Sequence, residues 1–183
     1  MATEQKLLTA EDLWNMPDNG GRRELWDGVL VEMSPTGARH GDVVTTAAML
    51  LGAHVRGTGL GKVLTGDVGI VLHRDPDRVL APDLCFISTD RLPAKEMPDG
   101  FLNVVPDFVI EIVSPCDRAG EVQAKVDAWL DAGVRLVWAV YPKSRSVMAF
   151  RSHAEASRYT AGDVIDAAPV LPEFSVPVAE LFA

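Results

Sequence analysis

The chain has little of what usually signals a reactive centre. Its 183 residues contain two cysteines, Cys85 and Cys116, in no CxxC spacing. Neither a zinc cluster nor a disulfide framework is expected, and a reduced, cytoplasmic setting is the simplest reading. No apolar run approaches the ~20 residues of a membrane helix. Residues 1–8 lack a signal-peptide core, so no membrane partner and no export are expected. GxxxxGK[ST], GxGxxG after a strand, GxSxG and HExxH are all missing, which sets aside the common nucleotide, nucleophile-elbow and zinc-protease chemistries. Tryptophans 14, 26, 129 and 138 are scattered along the sequence and read as core rather than as a base-stacking platform. Positive charge is also scarce: 17 Lys+Arg against 26 Asp+Glu leave a net charge of −9. Such a balance argues against coating nucleic acid or an anionic membrane through overall charge. Residues 1–100 carry 10 basic and 15 acidic side chains and residues 101–183 carry 7 and 11, so functional carboxylates must be found by position rather than local density.

What is present is a one-domain length with an ordinary globular composition, and residues 1–183 are expected to form a single domain. Thr9 and Asp12 form a capping-box pattern ahead of a short helix containing Leu13, Trp14 and Met16. Asp27-Gly28 between Arg23–Trp26 and Val29–Met33 is a two-residue hairpin signal. Val43, Val44, Ala47, Leu50, Leu51 and His54 are spaced as an amphipathic helix over about 40–54, ended by Gly57 and Gly59. Strand-like runs follow at 62–64, 68–72 and 79–87, then a proline-bearing loop at 93–106. Phe108 to Val113 reads as a strand buried on both faces. Ser114 to Asp117 offers a cap for a helix reaching about Ala132, with Gly133 as its stop. A strand from Val134 to Tyr141, a turn, a partner strand at 147–150 and a docked tail from Leu171 to Phe182 complete the chain. The expected class is mixed α/β, one central sheet flanked by helices with an N-terminal hairpin.

Two carboxylates occupy places where carboxylates are costly. Glu111 shares a strand face with Val109 and Val113, and Asp83 sits inside Val79–Ile87. An isolated ionised carboxylate in such a strand costs several kcal/mol unless it is paired, metal-bound or protonated. Two of them suggest a divalent-cation site, since Mg²⁺ is content with one or two carboxylates plus waters and substrate phosphate. The structural alternative is that each lies at a strand end, bonded to backbone N–H groups or an arginine. Lys125 falls about 40° from Trp129 on the flank of a buried helical stripe. It can aim its ammonium at the strand end or snorkel to solvent. Arg118 lies on the same side, about two turns earlier. Glu24 and His40 carry weaker signals, a helix-start histidine being more often a surface or capping residue. No histidine stands near Cys116 in sequence to activate it as a nucleophile.

Arg23–Gly28, His40, Ala81-Pro82-Asp83, Glu111–Pro115, Lys125, Ala132–Trp138 and Leu171–Val176, in this order, resemble the Uma-type family of restriction-endonuclease-like proteins within the PD-(D/E)XK nuclease superfamily. The resemblance spans about Leu8 to Phe182. It implies a restriction-endonuclease-like core, Asp83 and Glu111 as ligands of Mg²⁺ or Mn²⁺, and metal-assisted hydrolysis of DNA phosphodiester bonds. The superfamily lysine belongs two residues after the glutamate, where this chain has Val113, so the resemblance makes Lys125 its substitute. It also implies Glu24 as an outer ligand or water-positioning group, and His40 and Arg118 as phosphate contacts. Two other classes stay open: the nuclease fold kept as a dimerising or partner-binding module without catalysis, and a hydrolase of small phosphate esters. A homodimer is expected by analogy with restriction-type nucleases.

Overall fold

Strand alternation decides which side chains meet in this protein, whose computed structural model describes residues 6–18, 20–93 and 96–183. The N-terminal pentapeptide and positions 94–95 of the anticipated loop lie outside the described residues. Helix α1 (Ala10–Trp14) opens with the anticipated capping box: the Thr9 hydroxyl accepts from the Asp12 N–H at 3.1 Å, and the Asp12 carboxylate accepts from the Thr9 N–H at 3.0 Å. Strands β1 (Arg22–Trp26) and β2 (Val29–Met33) form the hairpin. Its turn needs positive φ at Asp27 (53°) and Gly28 (79°), and a Cβ on Gly28 would stand 2.7 Å from that of Leu7.

Helix α2 (Ala38–Thr58) buries Val43, Ala47, Leu51 and Val55 along one stripe, and it runs two residues earlier and about one turn later than its spacing announced. Gly57 lies inside it, and Gly59 alone provides the left-handed cap, with φ 68°. There follow β3 (Gly61–Thr65), β4 (Ile70–His73), β5 (Arg78–Leu80), β6 (Leu84–Ser88), β7 (Phe108–Ile112), α3 (Ala119–Asp131), β8 (Leu136–Tyr141), β9 (Ser146–Ser152), β10 (Glu155–Thr160), β11 (Val164–Asp166) and β12 (Ser175–Pro177), before a closing 3₁₀ turn over Val178–Phe182.

The strands fall into a six-stranded sheet in the order β10-β9-β8-β7-β6-β3, a four-stranded sheet β2-β1-β5-β4, and the pair β11-β12. In the large sheet only β7 and β8 run parallel, joined by the crossover through α3. Leu84, Phe86, Phe108, Ile110, Leu136 and Trp138 face α2 and the C-terminal tail; Cys85, Ile87, Val109, Val137 and Ala139 face α3, Val126 and Trp129. A sheet covered on both faces reads as continuous apolar sequence, as β7 and β8 do.

Several expectations are corrected. The apolar run 79–87 is two strands in different sheets, because Pro82 has no N–H for a ladder and the chain crosses between sheets at Ala81-Pro82-Asp83. The single central sheet is therefore accompanied by a second one built on the hairpin. Strand β10 is additional; it is an edge strand whose Ser157 and Tyr159 alone are half-buried, so its sequence carries almost no period-two signal. The α3 cap is Arg118, whose N–H donates to Glu121 at 3.1 Å, while Asp117 closes the preceding turn on the Ser114 N–H. Finally, Trp14 is not core: it is 53% exposed, with its ring edge-on to Phe101.

Candidate functional site

The crossing between the sheets brings the unusual carboxylates together. In the antiparallel pair β6–β7, Leu84 stands opposite Ile110 and Cys85 opposite Val109. One step further puts Asp83 opposite Glu111, both on the α3 side. Glu24 arrives from β1 in the other sheet, and its Oε1 accepts the Ala81 N–H at 3.0 Å, so β1 is tied to the crossing itself. Lys125 descends from α3 between them: Nζ lies 3.0 Å from Glu24 Oε1, 3.1 Å from Glu111 Oε2 and 3.2 Å from the Ala81 carbonyl. All three ammonium donors are used.

Every carboxylate has further partners. The Trp129 indole N–H donates to Glu111 Oε1 at 2.8 Å, and the Trp26 indole N–H donates to Glu24 Oε2 at 3.2 Å. Asp83 Oδ2 accepts the Ile112 N–H at 2.7 Å and faces His40 Nε2 at 3.1 Å. Asp83 Oδ1 faces Arg22 Nη1 at 3.3 Å, and Arg22 Nε lies 2.7 Å from Asp67. The Asp83 carbonyl accepts the Thr65 hydroxyl at 2.9 Å. Glu24, Asp83, Glu111 and His40 are each under 9% exposed. Two cavities lie elsewhere, one of about 460 Å³ between Leu60, Phe86, Thr89 and Val170, the other of about 170 Å³ between Trp14, Arg74 and Phe101. The cluster is a closed polar knot whose least buried members, after Asp67, are Lys125 and Arg22, 18% and 16% exposed.

Its electrostatics follow from that burial. Desolvation raises the Glu111 carboxyl to about 7, Asp83 and Glu24 push the same way, and Lys125 and the Trp129 indole pull against them. Burial also works against the Lys125 charge, but Glu111, Glu24 and Asp83 together outweigh it and hold the ammonium above its ordinary range. Cys85, on the same sheet face, is raised to about 12 by burial and by Glu111, so it offers no thiolate near neutrality. With Asp67, four acids gather around two fixed cations, Lys125 and Arg22. With every carboxyl ionised that all-oxygen donor set leaves two net negative charges, which suits a hard divalent ion. Among the described residues no three His, Cys, Asp or Glu side chains converge as a ready-made metal cage. A magnesium-type site, with one or two carboxylates and several waters, does not need one.

The structure thus brings Glu24, His40, Asp83, Glu111 and Lys125 into one connected cluster. Arg118 stands apart, exposed at the start of α3, and among the described residues it forms no ion pair. Two further members were not among the expected site residues. Arg22 is two residues before Glu24 on the same strand face, a period-two signal that could have found it. Trp129 is one helical turn after Lys125, yet it had been counted as core alone.

Residues 10–179 match the Uma2 family, described as "putative restriction endonuclease". The chain belongs to the Uma2 family. No curated protein matches this Uma2 chain. Among solved structures, its fold is similar to that of "a putative nuclease belonging to DUF820" from Anabaena variabilis, with a TM-score of 0.82 at 17% identity over 96% of this chain and 97% of the other. At that identity the likeness concerns the fold. The mixed α/β architecture expected from the sequence is therefore that of a Uma2 nuclease-like core. Among the described residues of this Uma2 protein no helix is long and apolar enough to cross a membrane.

Proposed function

We propose that this Uma2 chain is a metal-dependent endonuclease that hydrolyses phosphodiester bonds of DNA, with Asp83 and Glu111 holding Mg²⁺ or Mn²⁺. The observation that carries the reading is Lys125: although Val113 occupies the superfamily lysine position, the Lys125 ammonium lies 3.1 Å from Glu111 and 3.0 Å from Glu24. A bound divalent ion would supply Lewis acidity at the scissile phosphate and a water of lowered pKa. The protein's own groups do the rest. Glu24 and Glu111 clamp Lys125, whose permanently charged ammonium orients a water or stabilises negative charge developing on phosphate oxygen. Trp129 fixes the rotamer of Glu111, and the Ile112 N–H with His40 fixes that of Asp83, so neither carboxylate has to reorganise. Buried against Asp83, His40 supports the site from behind. The exposed Arg118 is the group free to meet a backbone phosphate at the start of α3, at the modest affinity that a net charge of −9 allows.

Incubating the purified protein with supercoiled and linear DNA and Mg²⁺ or Mn²⁺, beside E111A, tests this. Cleavage by the wild type and none by E111A is expected; equal cleavage by both refutes it. A second reading, a nuclease-fold binding module without catalysis, is favoured by how little of the cluster is exposed. Metal linkage separates the two: at ~100 Kd of ion, binding to the folded state alone stabilises it by about 2.7 kcal/mol, and a module without the site shows no shift.

A further inference from the structure

The two fixed cations of the cluster are held very differently. Lys125 spends all three donors, on Glu24, Glu111 and the Ala81 carbonyl, at 3.0 to 3.2 Å. The Arg22 guanidinium is 3.3 Å from Asp83 Oδ1 and 3.5 Å from the Ala81 carbonyl, both long contacts. Its short one, 2.7 Å, is an ion pair of Nε with Asp67, a half-exposed residue on the loop between β3 and β4, and it lacks hydrogen-bond geometry. Asp83 does not depend on Arg22 for its orientation. Its other oxygen is pinned by the Ile112 N–H at 2.7 Å and by His40 at 3.1 Å. Asp83 Oδ1 is therefore the one carboxylate oxygen of the Asp83–Glu111 pair whose partner is a loosely seated cation with a second anion waiting outside.

We propose that Arg22 is a displaceable counter-ion of Asp83: it covers Oδ1 when no divalent ion is bound, yields that oxygen to an incoming ion, and is retained by Asp67 at the mouth of the site. The inference rests on the metal-site reading above and adds to it a residue that sets the ion's affinity. Three consequences separate it from a merely structural arginine. Removing the Arg22 charge strips the metal-free protein of a compensating cation and lowers its stability, yet the same change tightens divalent-ion binding. Even at the full dielectric of water, a unit charge ~6 Å from a dication is worth about one power of ten in affinity. Keeping the charge in a shorter side chain leaves affinity near that of the wild type. Neutralising Asp67 frees Arg22 to sit fully on Asp83 and weakens the ion, and most of that effect needs Arg22 to be present.

The experiment is calorimetric titration of the full chain with Mn²⁺ alone, and urea denaturation in EDTA, for wild type, E111A, R22M, R22K, D67N and R22M/D67N. The expected result is about tenfold tighter Mn²⁺ for R22M together with lower metal-free stability. R22K should bind as the wild type does. D67N should bind several-fold more weakly, an effect shrinking at least threefold in the R22M background. Wild-type binding that E111A abolishes, with Mn²⁺ affinity in R22M equal to or weaker than wild type, overturns this inference and leaves the metal-site reading standing. If R22M does not fold, D67N decides, because unchanged affinity there also overturns it. Wild-type protein that takes up no Mn²⁺ overturns both.

Discussion

Replacing Lys125 by methionine keeps the aliphatic stem and deletes the ammonium that Glu24 and Glu111 share. Glu24 is 2% and Glu111 7% exposed, so neither can recruit bulk water in its place. Removing one partner of a buried ion pair costs about 3–5 kcal/mol, because a charge is left stranded. The protein has one escape, which is protonation of Glu111, already raised to about 7 with Lys125 present. Without the ammonium that value climbs further, and proton uptake limits the loss wherever the pH lies below it. K125M is therefore expected to cost about 3–5 kcal/mol at pH 8 and measurably less at pH 5, where Glu111 is neutral in both proteins and only the Glu24 pairing is lost. Urea denaturation without metal at the two pH values measures this, and K125M/E111Q, which removes the stranded charge, should regain much of the pH 8 loss. A loss under about 1 kcal/mol at pH 8, equal losses at both pH values, or no recovery in the double variant would refute the reasoning.

Two further outcomes follow from the same cluster. Because the folded-state pKa of Glu111 is raised from 4.5 to about 7, the folded protein binds that proton more tightly than the unfolded chain. Its contribution to stability is whole below pH 4.5 and fades as pH rises through 7. Metal-free wild type should thus lose up to about 3 kcal/mol over that window, at about 1.4 kcal/mol per pH unit, and the slope should vanish in E111Q. W129F keeps most of the buried ring but removes the donor to Glu111 Oε1. It should cost about 1.5–3 kcal/mol by thermal or urea melting at pH 8 and less at pH 5, where the acceptor is neutral. A loss independent of pH would assign the effect to packing alone.

Much of this was legible in the sequence, for identifiable reasons. Helix α3 and strands β7 and β8 carry long, one-signed patterns that only one kind of burial explains. Glu111 stood out because it broke such a pattern. The Asp27-Gly28 turn announced itself because few residues tolerate its backbone. Illegible were the places where tertiary context outweighs local preference. The run 79–87 looked continuous because apolarity does not distinguish one sheet from another; Pro82 was the clue. Nothing local ties Arg22 to its partner Asp83, sixty-one residues away, and an arginine beside a hairpin usually faces solvent. The polar edge strand β10 is held by β9 alone and leaves almost no apolar trace. No pattern in the helix could choose between the two destinations of Lys125, since that choice is made by carboxylates from two other elements.

The crossing at Ala81-Pro82-Asp83 gives the chain an unusual tolerance profile. Facing in a strand alternates residue by residue, so one residue inserted between Asp83 and Leu84 would turn Asp83 toward α2. The β5 and β6 ladders on either side would still have their own partners. Most of the molecule can therefore vary in length at its loops without touching the cluster, while a three-residue link with no secondary structure of its own cannot. In this family, length conservation at that link, alongside the identities of Glu24 and Glu111 in the strands, would track whether the acidic knot survives.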